Sequence, residues 1–154
     1  MKIAFALPIL SLLFVTMLIA QDAPSIKYGG NGSNDIVEMS NMKGKVPYMK
    51  CWKKPDIYIG TIVKHSYEED EMTISSFILK LADDKRIAIN INQDQVDLLG
   101  HHSVSNVASV LSQGKKVKVW AYECTGGGSG TFVYVDRVQW QMPPSPSKKT
   151  KKTK

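Results

Sequence analysis

From Tyr58 to Trp140 the apolar residues recur first with a strand period, then once with a helix period, and then with a strand period again. The cleanest alternation is over 86–92, where Ile87, Ile89 and Ile91 point one way and Ala88, Asn90 and Asn92 the other. Residues 58–66 and 72–81 read as two earlier strands, parted by the acidic turn Glu68-Glu69-Asp70-Glu71. Gly60 stands where the first of them can bend sharply. Asp83-Asp84-Lys85 supplies a tight turn into the third strand. Over 104–113 the spacing changes: Val104, Val107, Ala108 and Leu111 form an i, i+3, i+4, i+7 stripe, with Ser103 as N-cap and Gly114 as the stop. Strands over 116–124 and 131–140 then flank the loop TGGGSG.

The order β-β-β-α-β-β predicts an all-β fold with one helix, the five-stranded OB-fold barrel, over residues 51–142. The segments on either side have other roles. Residues 1–20 carry one Lys and then an almost unbroken apolar run ending at Ala20, which reads as a secretory signal peptide; an uncleaved membrane anchor is the alternative. Residues 21–50 read as a flexible leader rich in Gly, Ser, Asn and Asp. They include a glycosylation sequon at Asn31 and a short helix suggested by Ile36, Met39 and Met42. Residues 143–154 form a disordered Pro/Ser/Lys tail with no means of building a core.

The formal charge of +6 resembles that of a nucleic-acid binder until it is located. Lys2 lies in the signal, and Lys148, Lys149, Lys151, Lys152 and Lys154 lie in the tail; without those six, 14 basic residues face 14 acidic ones. A neutral body lacks the overall positive bias that displaces counterions from phosphates. Nucleic acid binding through the lysine tail is therefore the alternative reading.

Cys51 and Cys124 are the only cysteines, and in an exported chain an even pair reads as a disulfide. Two free thiols or an intermolecular bridge are the other readings. The expected compartment is extracellular or periplasmic. No nucleophile elbow or metal-ligand spacing occurs, so the chain is expected to be non-enzymatic, with no cofactor, metal or catalytic residue. His65 ends the first strand, the His101-His102 pair reads as a solvated loop in preference to a metal site, and the acidic turn reads as a solvated tip in preference to a calcium site. TGGGSG joins two strands and lacks the Lys-Ser/Thr of a phosphate loop, so it reads as a hairpin loop. A secreted-nuclease chemistry has only Arg86 and Arg137 to draw on.

The most suggestive surface lies on the last two strands. With Val117, Val119 and Ala121 inward, Lys118, Trp120 and Tyr122 face outward. With Val133 and Val135 inward, Phe132, Tyr134 and Asp136 do so on the neighbouring strand. Trp120, Tyr122, Phe132 and Tyr134 thus share one outer face, suited to stacking on a glycan or to filling a protein or homo-oligomeric interface.

This region resembles the OB-fold B subunits of bacterial AB5-type toxins, in the cholera-toxin and subtilase-cytotoxin style. The features that carry the resemblance are the signal peptide, Cys51 before the first strand, the helix leading through Gly114 into KVKVWAYEC, and the final strand FVYVDRVQW. It covers residues 51–140 and implies a secreted, glycan-binding pentamer with helices around a central pore. It also implies a bridge from the pre-barrel Cys to the end of the penultimate strand. After the second Cys, where cholera-type subunits carry a sugar-stacking Trp, this chain has Thr125-Gly126-Gly127, so no ligand residue carries over. Small exported OB proteins of the tRNA-anticodon-binding-like type show a similar strand plan.

Overall fold

Eight strands and two short helices follow one another in the computed structural model, which describes residues 23–29, 35–100, 102–126, 128 and 130–141. The signal segment, the Asn31 sequon, His101 and the tail lie outside the described residues. In chain order the elements are β1 (Ser25–Tyr28), β2 (Ile36–Ser40), β3 (Met49–Cys51), β4 (Asp56–Tyr67), β5 (Ile74–Leu81), β6 (Arg86–Asn90), α1 (Gln93–Asp97), α2 (Ser103–Val110), β7 (Lys116–Gly126) and β8 (Thr131–Trp140).

The five strands expected between Tyr58 and Trp140 are β4, β5, β6, β7 and β8, and their pairing closes a ring. Antiparallel ladders join β6 to β5, β5 to β4, β4 to β7 and β7 to β8. The ring is completed where β6 meets β8 in parallel, Asn90 opposite Tyr134. A parallel pair needs a long crossover, and here α1, α2 and β7 supply it. Gly60 lets β4 lie close against β5, because a Cβ there would stand 2.4 Å from the Lys80 carbonyl oxygen.

The interior of the ring is filled by Ile62, Phe77, Leu79, Ile89, Val117, Val119 and Val135, all nearly inaccessible to water. Val107, Val110 and Leu111 of the α2 region pack onto the same cluster, as does Val96 of α1. Two helices stand where one was expected. Residues 93–97 are too few to display a helical stripe, and the helix is set instead by Asn92, whose side chain accepts the Asp94 N–H. The N-cap of α2 is His102 rather than Ser103.

The leader is also corrected. Ile36, Met39 and Met42 lie on no helix: β2 pairs with β8 through Glu38–Gln139 and Met39–Val138, and all three apolar residues are buried in the core. Their three-residue spacing mimics a helix because the β1–β2 register slips, with Lys27 opposite Glu38 but Tyr28 opposite Ile36. Val37 is the extra residue of that bulge, and it lets Ile36 and Met39 face the same side. Further on, β3 lies along the same edge of β7 that β4 occupies. β4 covers Lys116 to Ala121 and β3 covers Cys124 to Gly126.

Candidate functional site

The disulfide expected from the two cysteines is present: Cys51 and Cys124 are opposite neighbours on β3 and β7. It and the Trp52 N–H, which donates to the Glu123 carbonyl at 2.9 Å, fix the start of the 52–55 link to β4.

The register of β7 and β8 places the four aromatics. Tyr122 stands directly opposite Tyr134, Phe132 opposite Cys124, and Trp120 opposite Arg137. Trp120, Tyr122 and Tyr134 therefore come together on one outer face, whereas Phe132 lies further along it, at the disulfide. All four side chains are half-buried. On the other edge of β7, Ile57 and Ile59 of β4 lie opposite Trp120 and Lys118, exposed by 55% and 49%. Apolar surface thus continues across three strands.

Strict alternation would turn Arg137 inward. Instead Val135 pairs with Ala121 and Arg137 with Trp120, so Asp136 is the extra residue of a bulge. The signal was in the sequence: Val135 and Val138, both buried, are three apart. The result is a cation over an aromatic face. The Arg137 guanidinium lies 4.5 Å from the Trp120 ring centroid, and Lys118 lies 4.7 Å from it. Arg137 also donates from Nη2 to Glu38 Oε2 of β2 at 2.8 Å, while its buried Nε has no protein partner. Lys43 lies 4.9 Å from the Tyr122 ring centroid. Burial, and then the Asp136 carboxylate, push the Tyr122 phenol above its ordinary value of 10.0, so it stays protonated and able to donate.

A cleft of about 1020 Å³ opens beside Tyr122, between β7 and the segment before β4. Lys43, Lys45 and Lys50 line it with Tyr48 and Trp52, and Asp136 borders it too. Between Glu38 and Asp56 the chain holds five lysines (Lys43, Lys45, Lys50, Lys53 and Lys54) and no acid. A charge sum over the whole body conceals the cleft lysines Lys43, Lys45 and Lys50. The compensating acids lie elsewhere: Glu68, Glu69, Asp70 and Asp97 line a separate concavity of about 390 Å³.

The remaining candidates have structural partners. Asp70 accepts the N–H groups of Met72 and Thr73 and the Thr73 hydroxyl, closing the β4–β5 turn. His65 Nε2 lies 2.6 Å from the Leu111 carbonyl oxygen, tying β4 to the end of α2. Among the described residues no group of three or more His, Cys, Asp or Glu side chains could hold a metal ion, and no helix is long and apolar enough to cross a membrane. The disulfide is compatible with an extracellular or periplasmic protein. Comparison with protein-family models, curated proteins and solved structures yields no match, so the toxin-subunit resemblance rests on strand order and cysteine placement.

Proposed function

We propose that this chain is an exported, non-enzymatic binding protein, built on an OB-type Greek-key barrel, that recognises a glycan through the outer face of β7 and β8. The barrel reading is supported by the strand order in the ring and by the parallel closure of its third strand on its fifth, with helical structure between the third and fourth. The glycan reading is carried by one observation: Trp120 and the facing pair Tyr122 and Tyr134 make a half-exposed aromatic surface backed by two rigid strands. Aromatic rings stack on the apolar faces of sugars at little entropic cost, since each has only two side-chain torsions.

A glycan array probed with the full chain and with its Trp120→Ala variant tests this. Retention of a defined sugar class by the first and its loss in the second is the expected result. No sugar retained by either protein sinks the reading. The exposure of Ile57 and Ile59 beside Trp120 favours a second reading, in which this face is an interface with a protein or another copy of the chain. Sedimentation that reports a strict monomer over a wide concentration range excludes the homo-oligomeric form, including a toxin-like pentamer.

A further inference from the structure

We propose that the glycan is an acidic oligosaccharide, seated in the cleft beside Tyr122. Its carboxylate or sulfate groups lie on Lys43, Lys45 and Lys50, and its sugar rings lie on Tyr48 and Trp52. This rests on the glycan reading above, names the ligand class, and extends the site from the outer face past Tyr122, which belongs to both, into the cleft.

The backbone that carries Lys43 and Lys45 is held in place before any ligand arrives. The Asn92 amide donates to the backbone carbonyls of both Lys43, at 2.6 Å, and Lys45, at 3.3 Å. Gly44 between them has φ +51 and presses on Gln95, where a Cβ would stand 2.2 Å from Nε2. The opposite wall is pinned by the Cys51–Cys124 bridge. A binding wall that is already ordered loses little freedom on association.

Tyr48 points to a ligand independently. Pro47-Tyr48 forms the turn into β3, and Tyr48 takes φ 59, the sign that glycine usually supplies after proline in such a turn. Its ring is 97% exposed and packs on nothing. An aromatic side chain at positive φ is a genuine outlier, and strain of this kind concentrates at functional sites. Trp52, 65% exposed, follows the other end of the same short strand.

Charge and size favour an acidic sugar over single-stranded nucleic acid. The cleft is a single local concavity, whereas an OB module tracks about 4–16 nucleotides along a continuous basic groove. The turn between the first two ring strands, a usual oligonucleotide contact in OB folds, is here the acidic run 68–71.

The test is calorimetric titration of the full chain at about physiological salt. Its probes are sulfated, uronic-acid and neutral hexasaccharides and a short single-stranded oligothymidylate. Variants are Tyr48→Gly, the double Lys45→Gln/Lys50→Gln, and Trp120→Ala. Every variant keeps the C-terminal lysines, so their contribution cancels. An acidic hexasaccharide should bind best and weaken about tenfold or more in the first two variants, the size of losing one ring contact or two charge contacts. Tyr48→Gly should melt no lower than the parent, which separates lost binding from lost folding. Neutral hexasaccharides bound as tightly as acidic ones, unaffected at the cleft but lost in Trp120→Ala, overturn the seat and leave the outer-face reading standing. Oligothymidylate bound more tightly than any sugar makes the cleft a nucleic-acid site and overturns the proposal. No hexasaccharide bound at all overturns both readings.

Discussion

Gly126 of β7 lies flat against the backbone of Tyr48: a Cβ on Gly126 would stand 2.4 Å from the Tyr48 carbonyl oxygen and 3.0 Å from the Met49 Cα. Both neighbours are main-chain atoms of the cleft wall, so neither can swing aside as the tip of a side chain would. Gly126→Ala should therefore push β3 off β7 and destabilise the protein by about 1–3 kcal/mol, the usual cost of overpacking. Urea unfolding measures the loss. An unchanged midpoint would mean that β3 shifts freely.

The Cys51–Cys124 bridge, with a sequence separation of 73, does the most to hold that wall. Cys51→Ser/Cys124→Ser should cost about 4 kcal/mol in the chain-entropy account of crosslinks. The ladders of β7 with β4 and β8 do not depend on it, so far-ultraviolet circular dichroism at low temperature should match the parent. Only the melting temperature should fall. A variant that loses its β signal instead would show that the ring cannot form without the bridge.

The ring strands were legible because each carries a run with a two-residue period between turn signals, and β8 was read with its observed bounds. What failed to show has physical causes. Val37 and Asp136 each add one residue to a strand, and a bulge converts a two-residue period into a three-residue one. The first disguised β2 as a helix; the second hid Arg137, which alternation assigns to the interior. Helix α1 was missed because its signal is a cap, Asn92, and not a stripe. The basic cleft was missed for a different reason: the lysines at 43–54 and the acids at 68–71 cancel in a sum and separate in space. Cation placement over Trp120 depends on cross-strand register, which no local window contains.

Arg137 serves Glu38 and Trp120 at once, so its removal should be felt in both. The Glu38 side chain is only 12% exposed, and loss of its partner would leave a nearly buried carboxylate unpaired. Because the arginine side chain is itself 40% exposed, the penalty is less than for a fully buried pair. Arg137→Ala should destabilise by about 1–3 kcal/mol. Arg137→Met combined with Glu38→Gln should recover part of that, since no charge is then stranded. Chemical denaturation of Arg137→Met, Glu38→Gln and their double variant gives the coupling directly. Strict additivity would show that the two side chains do not interact in solution.

Acid should loosen the β4–β5 turn through Asp70. Hydrogen bonds from the Thr73 hydroxyl, then from the Thr73 and Met72 N–H groups, hold its carboxyl below the ordinary value of 3.8. A carboxyl depressed in the folded state binds its proton more readily when unfolded. Its contribution is therefore complete above the ordinary value and is lost as pH falls through the lower, folded one. Asp83 and Asp84 shift the same way, through Lys85 and Lys80 respectively, and add to the acid sensitivity. Asp70→Asn leaves those two untouched, so it isolates the turn. At neutral pH the variant should melt below the parent; from near pH 5 down to about pH 2 the two melting curves should converge. Curves that stay parallel throughout would mean that the charged form of Asp70 contributes nothing to holding the turn.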